Sequence, residues 1–145
     1  MKMRFSKMYE DVKAPTRGTP GSAGLDLYVY SPDAVIGIRP HETAIVHTGL
    51  IFEVPEGYFA GIYARSGLST KRGLRPANCV GVIDSDYRGE VLIGFHNDSD
   101  ETQIIYNGDR VAQAIIQPFI RVELEEAETL TKTTRGDGGF GSTGE

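Results

Sequence analysis

Apolar and β-branched residues recur along the chain in short runs cut by turn signals: Leu25–Tyr30, Thr43–Val54, Tyr58–Ala64, Glu90–Phe95, Thr102–Tyr106, Arg110–Ile120 and Val122–Leu124. Each run predicts a strand. Pro55-Glu56-Gly57 parts two of them, Asn97-Asp98-Ser99-Asp100 two more, and Asn107-Gly108 is a hairpin signal. Within Asn78–Glu90 an apolar strand delivers Asp84 directly into a turn. One segment fits a helix, Ser66–Arg72, with Ser66 as its N-cap and Gly73 ending it. The pattern is all-β, and periodicity does not choose among sandwich, jelly roll and small barrel.

Beyond Leu124 the pattern stops. Glu125 to Thr134 is a polar run with little to bury, and Arg135 to Gly144 holds five glycines in ten residues. The expected organisation is therefore a β domain over residues 1–124 and a linker with a flexible glycine-rich C-terminal arm over 125–145.

Composition narrows the partners. With 145 residues and 39% hydrophobic content, one domain with one core is expected. A net charge of −5 and a pI near 5.2 disfavour a basic face for long nucleic acid, so a polyanion would have to meet locally placed arginines. Cys79 stands alone, which fits a reducing compartment, and Met1–Tyr9 lacks the apolar run of a signal peptide or membrane span. A cytoplasmic protein without a stable nucleic-acid or membrane partner is expected.

Several segments carry candidate chemistry, each with a plainer alternative. Arg65-Ser66-Gly67-Leu68-Ser69 ends a strand and opens the helix; free N–H groups, a glycine and an arginine fork suit phosphate, while a serine cap with a surface arginine explains it equally well. Asp84, following Val82-Ile83, is expected to be partly buried, with a raised affinity for protons and a role in activating water; ordinary turn chemistry is the alternative. Tyr87 offers a flat platform for a sugar or base, or merely packs. The Asn78 amide could read a pyrimidine edge or form a turn. Gln113 interrupts an apolar strand and needs a hydrogen-bond partner, from a neighbouring strand or a ligand. Asp26 alternates with leucines, as a solvent-facing residue or an inward anchor, the first being commoner. In the tail, Arg135, Ser142 and the glycine N–H groups suit phosphate and Phe140 could stack on a base, against the alternative of a tail without a role. His41, His47 and His96 lack zinc-type spacing.

Taken in order, Ala23-Gly24-Leu25-Asp26-Leu27, Ala64-Arg65-Ser66-Gly67-Leu68-Ser69, Gly81-Val82-Ile83-Asp84-Ser85-Asp86-Tyr87-Arg88-Gly89, Gly108-Asp109-Arg110-Val111-Ala112-Gln113 and Arg135-Gly136-Asp137-Gly138-Gly139-Phe140-Gly141-Ser142-Thr143-Gly144 closely resemble the five signature motifs of the trimeric dUTPase family. The resemblance implies a jelly-roll-like β-sandwich or barrel subunit, the β-clip of that family, with one short helix. It further implies a homotrimer with active sites at subunit boundaries, and hydrolysis of dUTP to dUMP and pyrophosphate with Mg²⁺ held by substrate phosphates and water. That reaction would remove dUTP from the nucleotide pool and supply dUMP for thymidylate synthesis. Carried over by residue, Asp84 would be the general base and Tyr87 would pack beneath the deoxyribose. Asn78 with the backbone of Gly81, Val82 and Ile83 would read uracil. Arg65, Ser66, Gly67 and Gln113 would hold phosphates; Arg135, Gly141 and Ser142 would clamp the distal ones; Phe140 would cover the base; and Asp26 would order the site. A dCTP deaminase shares the implied fold, although the full set of motifs weighs against it. A trimeric jelly-roll binding or capsid-like module would explain the strands but would leave Asp84, Arg65 and the tail without a common purpose.

Overall fold

The computed structural model describes residues 1–139. In chain order the strands are β1 (Arg4–Lys7), β2 (Leu25–Tyr28), β3 (Ile36–Ile38), β4 (Thr43–Val46), β5 (Leu50–Glu53) and β6 (Tyr58–Ala64); helix α1 (Ser66–Arg72) follows, then β7 (Leu74–Pro76), β8 (Gly81–Ile83), β9 (Ile93–Asn97), β10 (Gln103–Ile105) and β11 (Arg110–Pro118). All pairings between these strands are antiparallel. They form an open sheet ordered β2-β11-β6-β8, a second ordered β4-β9-β7, and the pairs β1-β5 and β10-β3. The architecture is a jelly-roll-like β-sandwich of open sheets, and the barrel alternative does not apply.

Alternation sends one face of each sheet inward. Leu27, Ile62, Ala112 and Ala114 meet Val46, Leu50, Phe52, Leu74, Ile93 and Phe95 in one buried cluster. Each large side chain buried this way stabilises the fold by about 1.5–3 kcal/mol. The third inward position of β9 is Asn97, whose Nδ2 donates to the carbonyls of Ile38 (2.9 Å) and Glu101 (2.8 Å). Its Oδ1 accepts from the N–H of Ser99 (2.9 Å), so a buried amide ties the β9–β10 turn to β3.

The structure corrects several expected elements. The run Thr43–Val54 is two strands, because Gly49 takes φ of +66° and reverses the chain between β4 and β5. Glu90 is an isolated bridge to Ile51 rather than the start of β9. Val122–Leu124 forms no strand; residues 118–137 are all exposed. Strands β1, β3 and β7 were not expected. Helix α1 has the predicted span and its Gly73 end, with φ of +64°, but Arg65, extended at φ −89° and ψ 133°, is the N-cap and Ser66 is already helical. No side chain caps the helix. Among the described residues no helix is long and apolar enough to cross a membrane.

Candidate active site

Register assembles the first half of the site. On β2 and β11, Asp26 stands directly opposite Gln113, and β11 in turn places Ala112 opposite Ala64 at the end of β6. Three strands thereby bring Asp26, Gln113 and Arg65 to one end of the sheet. Asp26 is the inward anchor rather than the commoner solvent-facing residue, its side chain only 13% exposed. Its Oδ1 lies 3.1 Å from Nε of Arg65 and its Oδ2 accepts from Nη1 of Arg110 at 3.2 Å. Arg65 Nη1 also donates to the Arg110 carbonyl (3.3 Å). One carboxylate therefore holds two guanidinium groups in place, and both keep donors free for an anion.

The partner that Gln113 needs is the carbonyl of Ala64, to which Nε2 donates at 3.1 Å. Gly24 faces this amide so closely that a Cβ there would collide with Oε1 and sit 3.1 Å from the Gln113 Cβ. At the start of α1, the N–H groups of Leu68 and Ser69 already bond to the Arg65 carbonyl, which leaves those of Ser66 and Gly67 ahead of the first intrahelical bond. A Cβ on Gly67 would meet nothing within 4 Å, so the approach to them is open. Gly18, Ser22, Gly24, Asp26, Arg65, Ser66, Gly67, Arg110 and Gln113 line a cavity of about 300 Å³, a cationic cradle with exposed N–H groups.

The second half lies elsewhere. Val82, Ile83, Asp84, Tyr87, Glu90 and Leu92 line a separate cavity of about 220 Å³. Asp84 is exposed, not partly buried, because β8 is the edge strand of its sheet and delivers the carboxylate beyond it. None of the ion pairs of the described residues engages Asp84. Tyr87 turns its hydroxyl to the Glu90 carbonyl (3.1 Å) and presents its ring beside Asp84.

The remaining expected residues are distributed as follows. Asn78 sits in the turn between β7 and β8, exposed, with its Nδ2 3.4 Å from where a Gly81 Cβ would stand. It faces the hairpin backbone and does not line the Asp84 cavity. Arg135 Nε donates to the Gly138 carbonyl (2.9 Å) and lines neither cavity. Phe140, Gly141 and Ser142 lie outside the described residues. Arg110 and Glu90 were not singled out from the sequence; Arg110 is three residues before Gln113, and its place in the cradle follows from a register that local pattern does not give.

The two halves stand at opposite ends of β6. Ile83 pairs with Ala60, so Asp84 follows toward Phe59, whereas Arg65 succeeds the other end of the strand. Six residues of strand, about 20 Å, separate the two positions.

The family model of dUTPase matches residues 10–144. The chain is 48% identical over 144 residues to the deoxyuridine 5'-triphosphate nucleotidohydrolase of Hydrogenobaculum sp. (strain Y04AAS1), covering 99% of both. It is also 48% identical over 130 residues to that of Anaplasma marginale (strain St. Maries), covering 90% of this chain and 88% of the relative. Among solved structures it resembles the Staphylococcus bacteriophage 80alpha dUTPase with dUPNHPP, at a TM-score of 0.85 and 26% identity over 99% of both chains. A match that takes in both cavities, joined to relatives nearly half identical from end to end, settles the kinship: the chain belongs to the dUTPase family.

Proposed function

We propose that the chain, as a dUTP diphosphatase, hydrolyses dUTP to dUMP and pyrophosphate at a site shared between copies of itself, with Asp84 directing water onto the α-phosphate. The observation that carries this reading is the division of the chemistry between two cavities on opposite ends of β6. A cradle with Arg65, Arg110, Gln113 and the N–H groups of Ser66 and Gly67 suits a triphosphate, and Asp84 beside Tyr87 suits water activation under a sugar. Neither reaches the other within one chain, since about 20 Å of strand far exceeds a triphosphate. A second copy must bring its Asp84 to the first copy's cradle, and a closed ring repeats that contact without loose ends. A homotrimer with three such sites is the assembly proposed. Apolar side chains left bare in the single chain, Val82, Leu92, Ile120, Val122 and Leu124 among them, supply surface for it.

In this arrangement the Asp84 carboxylate accepts the proton of a water whose oxygen bonds to the α-phosphorus. The bond from that phosphorus to the bridging oxygen breaks, and pyrophosphate departs with the electron pair. Arg65, Arg110 and the α1 N–H groups spread the charge that develops on phosphate oxygens. The one carboxylate of the cradle, Asp26, is occupied by two arginines, so Mg²⁺ would be held by substrate phosphates and water. When bound it supplies further neutralisation of phosphate charge. Tyr87 underlies the deoxyribose where a 2′-hydroxyl would collide, and Asn78 with the backbone of Gly81 to Ile83 reads uracil. Arg135, Phe140, Gly141 and Ser142 belong to an arm that closes over the nucleotide. Clearing dUTP and supplying dUMP for thymidylate synthesis in the cytoplasm is the role that follows. Incubation of the purified protein with dUTP, dCTP and dTTP tests the reading: dUMP and pyrophosphate from dUTP alone are expected, and release of ammonia from dCTP, or no turnover of dUTP, would overturn it.

A further inference from the structure

We infer that Glu90 is a positioning residue for Tyr87, and through it sets how sharply the site distinguishes a deoxyribose from a ribose substrate. The inference rests on the reading of Tyr87 as the surface beneath the sugar.

Tyr87 is 42% exposed and so has little packing of its own to fix it. Two features hold it. Its ring lies against Gly89, where a Cβ would collide with the phenol, the Tyr87 Cζ standing 2.5 Å away. Its hydroxyl donates to the Glu90 carbonyl at 3.1 Å. That carbonyl shares a rigid peptide plane with the N–H of Val91, which donates to the Leu50 carbonyl at 2.8 Å. The orientation of the acceptor for Tyr87 is thus set by the position of Leu50, at the start of β5.

Leu50 in turn is placed by the Glu90 side chain. The carboxylate, 14% exposed, reaches back to the turn between β4 and β5: Oε1 accepts from the N–H of Thr48 (3.1 Å) and of Gly49 (2.7 Å), and Oε2 lies 2.9 Å from Nδ1 of His47. Thr48 is buried and its hydroxyl donates to the Val91 carbonyl at 2.8 Å, which closes the loop. No sheet ladder supplies acceptors for the Thr48 and Gly49 N–H groups; Glu90 does. One residue therefore anchors the turn with its side chain and presents to Tyr87 a carbonyl whose direction that turn determines.

Removing the carboxylate leaves two N–H groups without their acceptor, and the turn must shift to satisfy them. The Leu50 carbonyl, the Glu90–Val91 peptide plane and the Tyr87 ring would move with it. A ring free to withdraw admits a 2′-hydroxyl. Glutamine can keep the clamp, with Oε1 accepting from both N–H groups and Nε2 donating to His47.

The test is kcat/KM for dUTP and for UTP, with Tm, in the wild type and in Glu90→Ala, Glu90→Gln, Tyr87→Phe, Tyr87→Ala and the double variant Glu90→Ala/Tyr87→Phe. Glu90→Ala should lower the dUTP-to-UTP ratio by roughly three- to tenfold, the scale of one net hydrogen bond. Glu90→Gln should restore it. Tyr87→Phe, which removes only the anchoring hydroxyl at a half-exposed position, should lower the ratio by a similar factor even if Glu90→Ala does not fold. The double variant should fall no further than either single one, because both cut the same linkage. A Glu90→Ala protein with lowered Tm and an unchanged ratio would overturn the inference, as would Tyr87→Phe with an unchanged ratio. If Tyr87→Ala still lowers the ratio in that case, the sugar reading of Tyr87 survives and only the role of Glu90 is lost. If Tyr87→Ala leaves it unchanged as well, the sugar reading itself has failed and the inference falls with it.

Discussion

Asp26 lies on β2 and Arg65 directly follows β6, strands that are not neighbours, yet the Asp26 carboxylate lies 3.1 Å from the Arg65 guanidinium while its other oxygen accepts from Arg110. β11, seated between β2 and β6, makes this possible. Asp26→Asn replaces one acceptor with a donor facing a donor, so one arginine must turn away. The fold should persist and kcat/KM should fall by up to about 100-fold, the cost of misplacing a positioning group. Steady-state kinetics with circular dichroism checks this; wild-type kinetics would show that the arginines need no such alignment.

At the other cavity, Asp84→Asn keeps shape and hydrogen bonding but removes the carboxylate that, in the proposed mechanism, accepts the proton of the attacking water. Nucleotide affinity should be retained while kcat drops by roughly 10²–10⁴-fold. Calorimetric titration with a non-hydrolysable dUTP analogue, set beside turnover, separates the two. Near-normal turnover would remove Asp84 from the mechanism.

Tyr87→Ala opens space where the proposed site seats the sugar. The preference for dUTP over UTP should narrow by about tenfold or more, since a steric barrier is removed and no attractive contact is added for either sugar. Competition between the two nucleotides measures the ratio directly.

Deleting the chain from Arg135 onward removes residues 135–139, which form no strand, along with the chain beyond them, and the described segment is exposed throughout residues 118–137. Tm and oligomeric state should stay nearly unchanged. If the arm supplies phosphate donors as proposed, its loss should reduce kcat/KM by roughly 100-fold. Full efficiency in the truncated protein, or its dissociation, would rule out an arm that closes over the nucleotide.

Two surface carboxylates predict the acid limb of stability. A hydrogen bond from Arg75 holds Asp98 below its ordinary value of 3.8, and one from Arg4 holds Glu53 below 4.5. A carboxyl depressed in the folded state contributes stability above its unfolded value and loses it as pH falls through the folded one. Tm should therefore decline below about pH 4, and in Arg75→Ala the decline should be shallower because the largest part of the Asp98 share, that from Arg75, is already gone. Thermal melts between pH 2 and 7, roughly the window of carboxyl titration, read this.

Much of this molecule is legible in its sequence. Strands β6 and β11 and helix α1 follow from alternation, Gly73 and the Asn107-Gly108 turn. What local pattern hides is equally specific. Thr43–Val54 reads as one strand because Thr48 is β-branched and the apolar alternation continues past it; only the left-handed Gly49 and the clamp from Glu90 break it. Strand β1 is exposed at every residue, so no burial alternation marks it. Val122 and Leu124 carry a strand's residue types, yet both lie exposed in a segment that pairs with no strand. The carboxylate of Asp84 follows apolar residues and reads as half-buried, yet edge-strand placement exposes it. The separation of Asp84 from Arg65 depends on the register of β6 with β8, which no spacing along the chain encodes.

That separation yields the most direct measurement. Asp84→Asn and Arg65→Ala proteins, each nearly inactive, should be mixed, dissociated and reassembled together, and assayed for dUTP hydrolysis. If each site joins Asp84 of one copy to Arg65 of another, random assembly makes about a quarter of the sites intact, and activity should return to about that fraction of wild type. A mixture no more active than its two components would mean that both residues serve the same site from one chain, contradicting the shared site.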